Sequence, residues 1–91
     1  MTIAQKVYKV VSSIPKGKVM TYGEVAKKAG TSPRAVGRIL HINPTPIEVP
    51  CHRVVFSNGS LSEGFAFGGI KKQKELLVKE GVKINKFKVL S

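Results

Sequence analysis

The sequence predicts a single domain that is mostly α-helical with a small β-hairpin, arranged as a winged helix-turn-helix. Three observations predict this fold class. The 91 residues can bury one core but are too few for two domains, so we treat residues 1–91 as one unit. Two short amphipathic segments are joined by a tight turn at Gly30. An Asn58-Gly59 dipeptide, a strong hairpin signal, follows an apolar run.

Four helices are expected from apolar spacing and from capping residues. The first is predicted over residues 2–13, where apolar residues recur at helical spacing. The second opens on Thr21 and Glu24, whose three-residue spacing is that of a capping box. The third opens on Ser32, a good N-cap that is followed by a proline. A last amphipathic helix is predicted over residues 70–80, and the tail beyond it is expected to add a short strand.

Extended structure and a loop are predicted between the third and the last helix. Residues 53–56 predict a strand, and Asn58-Gly59 predicts the turn of a hairpin directly after it. Residues 61–69 are rich in glycine and aromatic side chains and predict a loop. A hairpin that follows a helix-turn-helix corresponds to a wing.

The net charge of the chain indicates which classes of binding partner to expect. Sixteen Lys+Arg against five acidic residues give a formal net charge of +11. Such an excess fits either a solvated lysine surface or a polyanionic partner, with nucleic acid ahead of an anionic membrane. No apolar run approaches the ~18 residues of a spanning helix, and the N-terminus does not look like a signal peptide. We therefore expect no membrane partner.

The third predicted helix carries Arg34 and Arg38, which makes it a candidate DNA-recognition helix. The alternative is an ordinary pair of antiparallel helices, which is common in small domains. The basic second member of the pair and the charge of the whole chain favour DNA binding. His41, near the end of this helix, is expected to be a surface or helix-end residue.

The single cysteine, Cys51, is the candidate centre of the chemistry. A lone cysteine is usually a small buried hydrophobe. Here it is followed by His52 and Arg53, which can favour a thiolate. A nucleophilic thiol needs a base and a group that orients the base, and Glu80 is the candidate carboxylate.

The cysteine count also bears on the compartment and on metal binding. One cysteine excludes a disulfide framework, and without a signal peptide it indicates a reducing compartment, the cytoplasm or the nucleus. Two histidines and one cysteine are too few to predict a metal site.

The segment Pro50-Cys51-His52-Arg53-Val54 resembles the active-site signature of the O6-alkylguanine-DNA alkyltransferases, also called methylated-DNA–protein-cysteine methyltransferases. The resemblance extends over residues 3–82 in the family's order and approximate spacing. Four further segments match the family's motifs: Thr21-Tyr22-Gly23-Glu24-Val25-Ala26, Arg34-Ala35-Val36-Gly37, Asn43-Pro44 and Leu76-Leu77-Val78-Lys79-Glu80-Gly81.

The resemblance implies a stoichiometric, self-inactivating alkyltransferase that repairs DNA without a cofactor. Cys51 would take an alkyl group, typically methyl, from O6 of a guanine flipped out of the duplex. His52 would act as base through a water, oriented by Glu80. Asn43 would brace the turn before the cysteine segment. Tyr22 would press on the phosphate beside the target nucleotide and donate a proton to the departing guanine.

The resemblance also implies the DNA contacts. The recognition helix would enter the minor groove, where Arg34 would fill the space left by the flipped guanine. Ala35 and Gly37 are small enough for close approach, and Ser32 and Arg38 complete the expected DNA-binding set. The expected partner is double-stranded DNA that contains O6-alkylguanine, bound by a monomer.

The expected substrate pocket departs from the family in one segment. Besides Val54, it would be lined by Gly64-Phe65-Ala66-Phe67-Gly68, where the family often carries a Gly-Tyr-Ser-Gly-like stretch. Phe65 and Ala66 lack the hydroxyl groups, so weaker transfer or an altered substrate choice is expected; a lost hydrogen bond is worth about 1 kcal/mol. The alternative is that Phe65 and Phe67 cap the core.

Two other functions remain open. Alkyltransferase-like lesion sensors are similarly short and bind alkylated DNA without repairing it, but they typically carry Trp or Ala where this chain has Cys51. A winged-helix regulator with a structural Cys51 is the third hypothesis.

Full-length alkyltransferases usually carry an N-terminal domain before these motifs. Its absence predicts a natural minimal form, a fragment or one piece of a fusion, with a separate or fused partner domain.

Overall fold

Four α-helices, one 3₁₀ turn and four short strands form the described part of the chain, which is residues 1–42, 49–61 and 69–90 of a computed structural model. The helices are α1 Ile3–Ser12, α2 Tyr22–Ala29, α3 Pro33–His41 and α4 Gly69–Lys79, and the 3₁₀ turn is Cys51–Arg53. The strands are β1 Met20–Thr21, β2 Val54–Val55, β3 Ile84–Asn85 and β4 Lys88–Val89. None of the described helices is both long and apolar enough to cross a membrane.

The capping residues expected from the sequence set the ends of α2 and α3. The backbone N–H of Glu24 donates to Oγ1 of Thr21 at 3.1 Å, and the N–H of Thr21 donates to Oε1 of Glu24 at 3.0 Å, which completes the capping box. Gly30 ends α2 with a φ of +75°, a left-handed conformation that glycine adopts without strain. Oγ of Ser32 then accepts from the N–H of Ala35 and starts α3.

Two apolar clusters share the interior. The larger cluster lies where α1, α2 and α3 pack together, and Cys51 and Val54 belong to it. The smaller one lies beside α4 and the tail and contains Val55, Leu61, Leu77 and Val82. Because adjacent residues of β2 enter different clusters, this strand joins the two halves of the core.

The strand after the cysteine is present, but its partner differs from the expected one. β2 pairs in parallel with β1, with Met20 opposite Val54 and Thr21 opposite Val55. The predicted turn follows at Asn58-Gly59, where the N–H of Gly59 donates to the carbonyl of Phe56 at 2.8 Å. Both residues of β2 are buried, which is typical of a strand paired in parallel and covered on both faces.

The antiparallel hairpin lies in the tail. β3 and β4 pair with Ile84 opposite Val89, and Lys86 in their connection has a φ of +59°. The tail also pairs with the turn after β2: the N–H of Leu61 donates to the carbonyl of Phe87, and the N–H of Val89 to the carbonyl of Gly59, both at 2.9 Å. The tail thus braces the segment that follows the cysteine.

Candidate active site and nucleic-acid interface

Cys51 opens the 3₁₀ turn at the edge of the larger apolar cluster. Its side chain belongs to that cluster, and the residue is 5% exposed. Its backbone N–H donates to the carbonyl of Val49 at 2.7 Å, across Pro50, which bends the chain sharply just before the thiol. The turn packs against α4, which brings the cysteine segment next to the helix that ends before Glu80.

The carboxylate of Glu80 joins the two residues that follow the cysteine. Its Oε2 lies 3.0 Å from Nε2 of His52 and accepts from Nη2 of Arg53 at 2.7 Å, while Oε1 accepts from Nε of Arg53 at 2.9 Å. Nη1 of Arg53 also donates to the carbonyl of Ile14 at 2.8 Å, just after α1. Arg53 therefore links the end of α1, the cysteine turn and the end of α4.

Glu80 is ionised and determines which ring nitrogen of His52 donates a hydrogen bond. The guanidinium of Arg53 is the main cause that lowers the pKa of Glu80 from 4.5 to about 2; burial opposes the shift and His52 adds to it. An ionised carboxylate can only accept hydrogen bonds, so Nε2 of His52 is the donor. In the neutral ring this leaves Nδ1 as the proton acceptor.

Gln73 is a site residue that sequence reasoning did not single out. It lies on α4, is fully buried, and donates from Nε2 to the carbonyls of His52 at 2.9 Å and of Val54 at 3.0 Å. These carbonyls flank Arg53, so one amide holds the backbone of the whole turn. The available signal was a polar residue within the apolar stripe of a helix.

A cleft of about 530 Å³ opens between α2, α3 and the residue after β2. Four of its lining residues are expected DNA or phosphate contacts: Tyr22, Arg34, Gly37 and Arg38. Pro33, His41 and Phe56 complete the lining. His41 thus lines the cleft and also lies at the end of α3. Phe56 was not predicted as a site residue, because only the tertiary fold brings it beside α2.

The remaining expected site residues have different positions. Ser32 is exposed and caps α3, and Ala35 is half-buried behind it; among the described residues, neither lines the cleft. Val54 is fully buried in the larger cluster. Asn43 and the segment Gly64-Phe65-Ala66-Phe67-Gly68 lie outside the described residues. Within the described ranges no three His, Cys, Asp or Glu side chains gather in a group that could hold a metal ion.

A family model described as "6-O-methylguanine DNA methyltransferase, DNA binding domain" matches residues 2–82. The chain belongs to this family. Two curated relatives in the family are both named methylated-DNA–protein-cysteine methyltransferase. The one from Methanothermobacter thermautotrophicus is 49% identical over 80 residues, which is 88% of this chain and 44% of that protein. The one from Saccharolobus solfataricus is 51% identical over 78 residues, 86% and 50%. The chain thus spans about half the length of these relatives.

Solved structures in the family share the fold. S. pombe Atl1, in complex with damaged DNA containing O6-carboxymethylguanine, superposes with a TM-score of 0.81 and 40% identity over 91% of this chain and 79% of that one. Mycobacterium tuberculosis OGT, in complex with DNA, gives 0.80 and 37% over 89% and 49%. These matches confirm the predicted fold class, a small and mostly helical DNA-binding domain.

Proposed function

We propose that this chain is a direct-reversal DNA repair protein, a methylated-DNA–protein-cysteine methyltransferase that transfers an alkyl group from O6 of a flipped guanine to Cys51. The observation that carries the proposal is the Glu80–His52 pair beside the cysteine. It supplies a histidine with its proton fixed on Nε2 and its other nitrogen available as a base. Family membership and the names of relatives about half identical in sequence support the same reaction.

The reaction starts with a proton transfer. Nδ1 of His52 accepts the thiol proton of Cys51 through a water, and ionised Glu80 stabilises the imidazolium that forms. The Cys51 thiolate then attacks the alkyl carbon; a C–S bond forms as the C–O6 bond breaks, and the electron pair stays with guanine. A proton from the Tyr22 hydroxyl neutralises the departing base, and exchange with water then returns a proton to Tyr22 and removes one from the His52 imidazolium. A thioether has no good leaving group, so each molecule acts once, and no cofactor enters these steps.

We propose double-stranded DNA as the partner, bound by a monomer at the cleft beside α3. Arg34 and Arg38 supply positive charge there, and Gly37 presents no side chain to an approaching strand. In this proposal Arg34 fills the gap that the flipped guanine leaves. Ser32 and Ala35, at the start of α3, approach the DNA backbone. Asn43 and residues 64–68 keep the roles that the family resemblance implies. The reaction then takes place where the DNA is, in the cytoplasm or the nucleus.

Intact mass after incubation with an O6-methylguanine duplex tests the proposal. We expect one methyl group in place of one hydrogen on the protein, located on Cys51 by peptide mapping. The control is Cys51→Ala, which should gain no mass and leave the oligonucleotide methylated. No mass gain in the wild type, or a gain that persists in Cys51→Ala, would overturn the proposal. Tight lesion binding without transfer would instead identify a sensor, and equal affinity for unmodified duplex a regulator.

A further inference from the structure

The Tyr22 ring packs against an aromatic neighbour from another part of the chain. The ring of Phe56 packs on it with centroids 5.4 Å apart and planes tilted by 43°. On the α3 side, a Cβ atom placed on Gly37 would lie 3.9 Å from Cε1 of Tyr22, so the glycine leaves room for about one methyl group between the ring and the helix. Among these neighbours it is the Phe56 ring that restricts the motion of the Tyr22 phenol.

The β1–β2 pairing brings the two rings together. The ladder pairs Met20 with Val54 and Thr21 with Val55, and Tyr22 and Phe56 are the residues that directly follow the two strands. The backbone of Phe56 is fixed on both sides, since its N–H donates to the carbonyl of Ser60 at 2.9 Å and its carbonyl accepts from Gly59. Phe56 is thus held rigidly on the segment that also carries Cys51.

Phe56 is not a buried core residue. It follows two buried valines, yet 46% of its surface is exposed, and its ring lines the cleft together with Arg34 and Arg38. Its side chain carries no polar atom, so it cannot itself hydrogen-bond a phosphate or protonate a base. What it can do is act through the ring that it touches.

We propose that Phe56 is a positioning residue for nucleotide flipping, which it serves by holding the Tyr22 phenol against the DNA backbone. The inference rests on the proposed alkyl transfer and adds a residue to it. A phenol that presses on a phosphate must resist displacement, and the Phe56 ring packed on it provides that resistance. Transfer from a duplex needs the target guanine to leave the stack, whereas transfer from a free alkylated base does not.

The test compares two substrates in single-turnover kinetics: an O6-methylguanine duplex and free O6-benzylguanine, whose benzylic carbon is the more reactive electrophile. We expect Phe56→Leu to slow transfer from the duplex by about tenfold or more. Transfer from the free base should slow by a clearly smaller factor, because it needs Tyr22 only as a proton donor and not to hold a phosphate. Phe56→Tyr, which keeps the ring, should restore the duplex rate. In a Tyr22→Ala background, Phe56→Leu should have no further effect, because the two residues act as one unit.

Phe87→Leu is the matched control. Phe87 is also an exposed aromatic residue, at 42%, but it lies in the tail hairpin under Lys74 and does not line the cleft. It should react like the wild type with both substrates. Equal slowing of both substrates by Phe56→Leu would mean general damage to the site, and an unchanged duplex rate would mean no role; either result overturns the inference.

A second measurement separates this inference from the proposed transfer. In a Cys51→Ala background no transfer occurs, and the fluorescence of 2-aminopurine beside the lesion reports unstacking alone. Phe56→Leu should reduce that signal at saturating protein, and Phe87→Leu should not. If the wild type alkylates Cys51 with neither substrate, the proposed function fails, while the fluorescence still decides the role of Phe56.

Discussion

Nε2 of His52 lies 3.0 Å from Oε2 of Glu80, a carboxylate 28 positions later in the chain. The same carboxylate is held by two nitrogens of Arg53, so one acidic side chain both orients the candidate base and ties the cysteine turn to the end of α4. Loss of this one carboxylate is therefore expected to affect both the stability of the fold and, in the proposed reaction, the orientation of the base.

The pH dependence of stability should show Glu80 directly. Its pKa is lowered from 4.5 to about 2 in the folded protein, chiefly by Arg53, so its stabilising effect is complete above pH 4.5 and is lost as the pH falls towards 2. Glu80→Gln should be less stable at pH 7 by about 2 kcal/mol, because it removes a charged hydrogen-bond acceptor. Urea unfolding from pH 7 to 2 should show wild type and variant converging as the pH falls. A gap that stays constant down to pH 2 would contradict this assignment.

Gln73 should matter to both stability and transfer. Gln73→Leu fills similar space but leaves the carbonyls of His52 and Val54 without their shared donor, so we expect a loss of about 2 kcal/mol and slower methylation of Cys51. Urea unfolding and single-turnover kinetics measure the two effects. Glu75→Gln on the exposed face of α4 is the control and should change stability by less than about 0.5 kcal/mol.

The alkylated product should be less stable than the protein before reaction. Cys51 is 5% exposed within a packed cluster, and an added methyl group must find room there. Overpacking of this kind costs about 1–3 kcal/mol. For a domain of this size we expect the melting temperature to fall by about 4 °C or more after transfer. The comparison is protein incubated with unmodified duplex; equal melting temperatures would show that the methyl group is accommodated without strain.

Relief of backbone strain should stabilise the tail hairpin. Lys86 has a φ of +59°, a region that costs a residue with a Cβ about 1 kcal/mol relative to glycine. Lys86→Gly should therefore raise the free energy of unfolding by about 0.5–1 kcal/mol. The control is Lys88→Gly within β4, where glycine should weaken the strand instead. A loss of stability in Lys86→Gly would contradict the argument.

Salt dependence should separate Arg38 from other cations. If Arg38 neutralises one phosphate, Arg38→Ala should make the slope of log affinity against log salt shallower by about 1. Lys79, at the end of α4 and outside the cleft lining, is the control, and Lys79→Ala should leave the slope unchanged. Fluorescence anisotropy with a labelled duplex measures both. Equal slopes for Arg38→Ala and the wild type would place no phosphate at Arg38.

The parts of the fold and site that the sequence predicted depend on local patterns. Short-range hydrogen bonds from Thr21 and Glu24 mark the start of α2, and the cap at Ser32, which is followed by Pro33, marks the start of α3, so both helices lie where expected. The proximity of His52 and Glu80 followed from the family motifs and not from spacing, because nothing local relates residues on a turn and on a distant helix end. The structure brings them together through the packing of the turn on α4.

Non-local pairing explains what the sequence did not predict. Val54-Val55 is too short for its alternation to reveal a partner, so the parallel pairing with β1 was missed and a local hairpin was expected after it. The position of Phe56 depends on that pairing, and so does its contact with Tyr22. Gln73 carried a signal, a polar residue on a buried stripe, but its two acceptors are backbone carbonyls that sequence patterns do not reveal.

The dependence of the cysteine turn on α4 has a consequence for synthesis. A ribosome releases the chain from the N-terminus, so Cys51 emerges well before Gln73 and Glu80. Until those residues leave the exit tunnel, His52 has no carboxylate to fix its proton and the turn has no amide to hold it. A nascent chain would therefore lack both contacts, and in the proposed reaction its acceptor cysteine would not yet be activated.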